Sequence, residues 1–326
     1  MSYSQEVYLK AAAVLEDRKR SARLTAAARK EEIYAALPEV RQIDDALRSG
    51  AVSMTRLALG GQADLGVTID SLREHSESLL AQRSRMLMAA GYSADYTDVT
   101  PFCPICDDTG RKPDGTLCSC YKEVCRAEAL RELDANSGSS DCSFENFSLE
   151  YYPKTKGPNG VVAYSKMCRV FENCLHYAEN FTMDSPSILM SGRTGLGKTH
   201  LSLSIAKLVI ARGFGVVYQS AQTMLSRLEK EHFSRDGSGE PYLDNLIGCD
   251  LLIVDDLGAE FATAFTVSAV GNLINERLVE HRPTILNTNC DENDLMRLYG
   301  ERTASRLLGG EYAKLFFYGS DIRQIK

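Results

Sequence analysis

The chain has no tryptophan, and its 24 glycines and 9 prolines in 326 residues are too few for a collagen-like, low-complexity or disordered protein. No apolar run approaches the roughly 20 residues that a membrane-spanning helix needs, which excludes a helical integral membrane protein. The opening stretch MSYSQEVYLKAAAVLEDRKR lacks the apolar segment and small-residue cleavage site of a signal peptide. It reads as polar helix, and a cytoplasmic protein is expected. There is no excess of positive charge: 37 Lys and Arg against 44 Asp and Glu give a formal −7, unlike a histone-like polycation. A local basic patch is still compatible with that total. No internal repeat is visible.

What is present is ordinary for a globular protein, 44% hydrophobic and 25% charged. The length suits one large domain plus a smaller one or a helical arm. Residues 1–100 are rich in Ala, Leu, Arg, Glu and Ser with a helical rhythm (Val40, Ile43, Leu47; Ile69, Leu72, Leu79), which predicts two or three helices. Pro38 suits a helix start and Gly60-Gly61 a break. The first 30 residues carry seven Lys and Arg against three acids, either a solvated helix face or a surface for a protein or DNA partner.

Five of the ten cysteines fall between positions 103 and 125, a clustering that points to a metal rather than to disulfides. Cys103 and Cys106, then Cys118 and Cys120, supply four thiolates on two tight turns. Four thiolates close a tetrahedral zinc site and leave no open position, so the zinc expected there is structural. Cys125 is the alternative to Cys120, because Cys-x-Cys is an unusual knuckle. Redox chemistry at Cys-x-x-Cys lacks the βαβ setting it would need. A module over 101–133 is therefore expected, followed by a polar linker at 134–143.

From 144 to 326 short apolar runs alternate with amphipathic helical patterns, the signature of a parallel α/β sheet. Strands are expected at 187–190, 215–218, 251–255, 284–288 and 314–318, with helices at 198–212, 221–231 and 265–281. Between the first strand and helix lies a complete GxxxxGK(S/T) match: Gly192, Arg193, Thr194, Gly195, Leu196, Gly197, Lys198, Thr199. Glycines let backbone N–H groups converge on phosphate oxygens, and the helix N-terminus adds partial positive charge. Lys198 is expected at the β/γ-phosphates of ATP and the Thr199 hydroxyl on Mg²⁺.

The apolar run 251–254 ends in Asp255-Asp256, as a Walker B strand does. Asp255 is the expected Mg²⁺ ligand, directly or through water, and Asp256 the residue that orients or activates the attacking water. Glu260 is an alternative base. Asn289 ends the next strand where an amide could touch the γ-phosphate. Arg302 and Arg306, four apart on one helix face, are candidates for an arginine finger into a neighbour's site.

The runs GRTGLGKTH, LLIVDDLG, TILNTN and ERTASRLLGG together resemble the DnaC/DnaI helicase-loader branch of the AAA+ ATPases, with IstB transposition helpers as close cousins. The resemblance covers about 144–326, including Phe144, Phe147, Tyr151 and Tyr152 of the leading segment, and it includes His200 after the P-loop threonine. It implies an AAA+ parallel sheet flanked by helices, Arg306 as the finger, and Arg323 on the nucleotide phosphates through a second sensor segment. Aspartate at 256, where AAA+ proteins in general have glutamate, implies slow hydrolysis and a switch rather than a motor.

The same resemblance implies a replicative hexameric helicase gripped by the N-terminal region, single-stranded DNA, and self-association through the ATP site. The nearest basic and aromatic mix for a DNA groove is Tyr218, Arg227, Lys230, Phe233 and Arg235, although a solvated helix face is the stronger reading of that cluster. Two rival functions use the same domain: an ATPase that assists a transposase, and a nucleotide-binding adaptor with little turnover.

Overall fold

The computed structural model describes residues 3–60, 65–139, 141–157, 160–233 and 242–324. It divides into two compact units, Ala13–Cys120 and Met1–Ala12 with Tyr121–Lys326.

Three helices lead the chain: α1 (Gln5–Ala36), α2 (Pro38–Gly60) and α3 (Leu65–Ala89). Pro38 opens α2, where its missing N–H costs nothing, and it keeps Leu37 out of helical continuation. The second helix ends at Gly60, while Gly61 lies outside the described residues. Ile33, Val40 and Leu87 are buried together, with Tyr34, Leu37, Met86, Tyr92 and Tyr96 around them. A buried ion pair crosslinks this small core. Arg83 meets Asp44 at 2.9 Å, and the Tyr34 hydroxyl donates to the other Asp44 oxygen. Arg83 also reaches the Thr97 hydroxyl, so both buried charges are hydrogen-bonded.

Residues 101–120 form a compact turn-rich module with an antiparallel bridge between Arg111 and Leu117. Next comes α4 (Ser119–Ser137). The polar stretch expected as a linker from 134 is therefore helical up to Ser137: its small polar residues cap the C-terminal turns of α4 instead of beginning a loop.

The larger unit holds α5 (Ala163–Glu179), β1 (Ser187–Ser191), α6 (Lys198–Ala211), β2 (Val216–Ser220), α7 (Ala221–Phe233) and α8 (Tyr242–Gly248). Then follow β3 (Leu251–Leu257), α9 (Ala264–Val279), β4 (Thr284–Thr288), α10 (Glu292–Leu308) and β5 (Tyr312–Phe316). All pairings are parallel, in the order β2-β3-β4-β1-β5. The three central strands are buried on both faces, which explains their near-continuous apolar sequence. Leu189, Val217, Leu252, Val254, Leu273, Leu286 and Leu307 belong to one core that joins the sheet to its helices.

The expected strand at 314–318 begins two residues earlier, at Tyr312. The apolar run that suggested it is misleading because this is an edge strand, with Phe316 45% exposed and Tyr312 buried. Gly300 has φ 75° and kinks α10, so Arg302 and Arg306 stand on its second half.

One fully buried cation was not anticipated. Arg277 donates to the carbonyls of Leu246, Ile247, Cys249 and Pro283 and to the Thr284 hydroxyl, tying α9 to the loops before β3 and β4.

Candidate functional site

The carboxyl ends of β1, β3 and β4 lie side by side, and each delivers a polar loop to one edge of the sheet, where ligands of open α/β folds bind. The turn after β1 is tight because residues around it leave no room for a side chain. A Cβ on Gly195 would fall 1.7 Å from Asp321 Oδ1, and one on Gly197 2.7 Å from the Phe147 ring; both glycines have positive φ. The chain then enters α6 at Lys198.

Lys198 is 5% exposed. Its ammonium donates to the carbonyls of Gly192 (2.6 Å) and Arg193 (2.8 Å) and to Asn289 Oδ1 (2.7 Å). Burial lowers its pKa, with Asp256 and Asp255 opposing the shift and Arg323 adding to it. Asn289 Nδ2 in turn faces Asp256 Oδ1 at 3.4 Å. The sequence-predicted lysine, amide and acid thus form one row.

Asp255 and Asp256 occupy different environments because the β3–β4 register shifts between Val254 and Leu257. Asp256 sits at φ 54°, a left-handed conformation that aspartate tolerates better than most residues, and it is turned out toward the cavity. Burial and the neighbouring Asp255 raise its pKa. Asp255 stays inside the sheet, 4% exposed. Its Oδ2 accepts from the Tyr218 hydroxyl at 2.7 Å, and its Oδ1 from Asn287 Nδ2 at 2.8 Å and the Asp256 N–H at 3.1 Å.

These loops enclose a cavity of about 300 Å³. Its wall includes Thr194 to His200, Asp256, Asn289 and Arg323, together with Phe147 and Tyr151 from the leading segment. Arg323 arrives because the C-terminal segment closes on the P-loop: the Ile322 N–H donates to the Gly195 carbonyl at 3.0 Å. Tyr152 fixes the leading segment by donating to the Leu196 carbonyl at 2.9 Å. His200 lines the cavity with its Nε2 2.7 Å from the Ser143 carbonyl. The Arg193 side chain borders a separate cavity beside Phe317 and Tyr318.

Several residues that the sequence pointed to are placed elsewhere. Glu260 accepts from the Gly258 N–H and from the Tyr299 hydroxyl, so it braces the loop after β3 and is absent from the cavity wall. Arg302 is exposed and Arg306 half-buried, and neither lines the cavity of its own chain. The basic and aromatic mix considered for a DNA groove does not hold together either. Tyr218 is 6% exposed and engaged by Asp255, and Arg227 lies over the Tyr242 ring at 4.2 Å. Phe233 is exposed, and Arg235 lies outside the described residues.

Sequence reasoning missed Tyr218, Asn287 and Ser202 as residues of this site, since nothing in a strand's apolar rhythm marks a polar residue that serves a neighbouring strand. Cys142, which also borders the cavity, was hidden in the expected linker; contact with His200 lowers its thiol pKa.

In the smaller unit, Cys103, Cys106, Cys118 and Cys120 bring their Sγ atoms within 4.8 Å of one another. Individual separations are 3.7 Å (Cys103 to Cys118) and 3.4 Å (Cys106 to Cys120), near the roughly 3.8 Å edge of a tetrahedron with 2.3 Å zinc–sulfur bonds. Cys125 is not in this group and lies in α4. The donor set fits zinc. Asp108, buried, accepts from the backbone N–H groups of Phe102 and Cys103 and so shapes the first knuckle. The Cys120 N–H, aided by the neighbouring thiols, pulls the Cys118 pKa down to about 7, while burial raises Cys106 and Cys120.

Residues 175–307 match the family model of the IstB-like ATP binding proteins. That span contains the P-loop, both aspartates, Asn289, Arg302 and Arg306. The replicative helicase loader DnaC of Buchnera aphidicola subsp. Baizongia pistaciae is 29% identical over 196 residues, which is 60% of this chain and 72% of the relative. The loader of the same name from Escherichia coli K12 is 28% identical over 182 residues, 55% of this chain and 69% of that one.

Residues 175–307 are thus similar to IstB-like ATP binding proteins, and the larger unit to loaders named DnaC. Among solved structures, the crystal structure of the DnaC helicase loader is similar at a TM-score of 0.47 and 19% identity, over 55% of this chain and 97% of that one. Among the described residues no helix is long and apolar enough to cross a membrane.

Proposed function

We propose that this chain is an ATP-dependent loader of a replicative hexameric helicase, acting as a nucleotide switch. The observation that carries the ATP reading is the convergence of Lys198, Thr199, Asp256, Asn289 and Arg323 on one cavity at the carboxyl edge of an AAA+ sheet. The partner is inferred from the relatives, which are named replicative helicase loaders.

The P-loop N–H groups and the start of α6 bind the phosphates, and Lys198 draws charge from the β/γ bridge. Thr199 on the cavity wall, and Asp255 buried behind it and acting through water, would hold Mg²⁺, and the ion when bound would supply positive charge to the phosphates. Asp256 orients the attacking water and accepts its proton, with the Asn289 amide holding the γ-phosphate in line. Aspartate reaches less far than glutamate, so turnover is slow. Arg323 contacts the phosphates from the same chain, and Arg306 completes the site of a neighbouring copy, with Arg302 the alternative finger. Single-stranded DNA binding follows from the loader role and is expected to be salt-sensitive and sequence-tolerant.

Zinc on Cys103, Cys106, Cys118 and Cys120 is structural, and we assign the helical and zinc-bearing residues 1–133 to partner binding, with the ATPase domain over 144–326. The IstB-like match supports a second reading, an ATPase that assists a transposase.

The test is affinity purification of tagged protein from its native cells with ATP and Mg²⁺, followed by mass spectrometry, run beside Cys103→Ser. A replicative helicase recovered with the unaltered chain and lost with the variant is the expected result. Recovery of a transposase instead selects the second reading, and recovery of neither leaves the adaptor function as the better account.

A further inference from the structure

The geometry points to Tyr218 and Asn287 as positioning residues for the Mg²⁺-binding arm of the site, acting through Asp255 and Thr199; this rests on the ATP–Mg²⁺ reading above. Asp255 is buried between two strands, and a buried carboxylate must be supplied with donors. Here the donors come from both sides. From β2 the Tyr218 hydroxyl fixes Oδ2 at 2.7 Å, and from β4 the Asn287 amide fixes Oδ1 at 2.8 Å. Three hydrogen bonds to two oxygens leave the carboxylate plane little freedom to rotate.

The network does not stop at Asp255. An amide nitrogen carries two hydrogens, and Asn287 spends its second on Ser202 Oγ at 2.9 Å. Ser202 then donates to the Thr199 carbonyl at 3.1 Å. One buried chain of hydrogen bonds therefore joins Asp255 to the backbone of Thr199, the two residues expected to hold the ion, and spans β2, β3, β4 and α6. Partners of this outer kind typically change metal affinity or activity by about 10- to 100-fold when removed.

A phenol 2.7 Å from a carboxylate oxygen can only donate to it, so the Tyr218 hydroxyl is the donor of this pair. Tyr218 thus has a role at the site that its place on β2, the strand at the edge of the sheet, would not announce.

The experiment uses the full chain with Tyr218→Phe, which keeps the ring and removes only the donor, and Asn287→Ala as the second variant. ATP binding is measured by fluorescent nucleotide in EDTA and across a Mg²⁺ titration, with hydrolysis followed in parallel. The expected result for both variants is a rise of about 10-fold or more in the Mg²⁺ needed for half-maximal hydrolysis, with metal-free nucleotide affinity within about 3-fold of the parent. A positioning role predicts that split, whereas a purely structural one would move both readouts together.

Mg²⁺ curves that superimpose on the parent, or unfolding of both variants, overturn the inference and leave the network as core packing. A parent chain whose nucleotide binding and turnover ignore Mg²⁺ overturns the ATP–Mg²⁺ reading itself, a result seen without any variant.

Discussion

Lys198 and Asn289, 91 positions apart in sequence, are joined by a 2.7 Å hydrogen bond from the ammonium to the amide oxygen. With Oδ1 committed to Lys198, the amide must turn its Nδ2 toward Asp256. The side chain that follows β4 is thereby oriented by the P-loop lysine.

A first prediction separates the two partners. Lys198→Ala removes the charge that meets the phosphates and is expected to abolish measurable ATP binding. Asn289→Ala is expected to leave binding within about 3-fold while cutting hydrolysis by about 100-fold, the usual scale for losing one preorganised donor. Equal losses of binding and turnover in Asn289→Ala would remove it from the chemistry.

The second prediction concerns Asp256 and pH. Its folded pKa is raised above the unfolded value, by burial and by Asp255, so the folded state favours the protonated form. The ionised carboxylate then costs stability, a cost absent below the unfolded pKa and complete above the folded one. Asp256→Asn should melt at a higher temperature than the parent near pH 8, with the gain vanishing as pH falls below the ordinary aspartate range. Asparagine accepts the same positive φ, so backbone strain does not mask the gain. Hydrolysis should fall by about 100-fold or more, and in the parent it should decline as pH drops through the raised pKa. Thermal scans across that pH range, with ATPase assays on both proteins, check the sign; a variant less stable at pH 8 refutes it.

These residues also mark how far the sequence could be read. The glycine-rich turn, the Asp255-Asp256 pair and the three central strands were legible because each is local, although β3 runs two residues past Asp255 to Leu257. Arg306 and Arg302 were legible as arginines on a helix, although only a structure shows that neither reaches the cavity of its own chain. What escaped depends on pairings across the sheet. Tyr218 serves Asp255 from the adjacent strand, and the left-handed turn at Asp256 follows from a register shift between β3 and β4. The edge strand was misplaced by two residues because its apolar residues face outward as well as inward.

A third prediction isolates the cysteine cluster. Cys120→Ser should lose bound zinc, whereas Cys125→Ser should retain it, since Cys125 stands outside the four-sulfur group. Zinc in small modules of this type contributes on the order of 10 kcal/mol to local folding. Chelation should therefore unfold the region around 101–120 while ATP binding persists. Metal content by atomic absorption, with proteolysis of the chelated protein, checks it. Retention of zinc by Cys120→Ser, or collapse of ATP binding on chelation, would overturn the assignment.

The last prediction tests whether the site is shared between copies. Arg306 stands on the second half of α10, beyond the Gly300 kink, and is not part of its own cavity. If it serves a neighbour, Arg306→Ala has an intact nucleotide cavity and no finger, whereas Lys198→Ala has a finger and no functional cavity. Each alone should be nearly inactive, with Arg306→Ala reduced by about 1,000-fold in turnover but unchanged in ATP affinity. Mixing the two should restore hydrolysis, because a Lys198→Ala copy can place its Arg306 beside the intact cavity of an Arg306→Ala copy. The same mixture made with Arg302→Ala asks which arginine is used: recovery there and not with Arg306→Ala makes Arg302 the finger. Full turnover by Arg306→Ala and by Arg302→Ala, each on its own, would mean that neither is a finger and that hydrolysis is completed within one chain, leaving Arg323 as the arginine that lines that cavity.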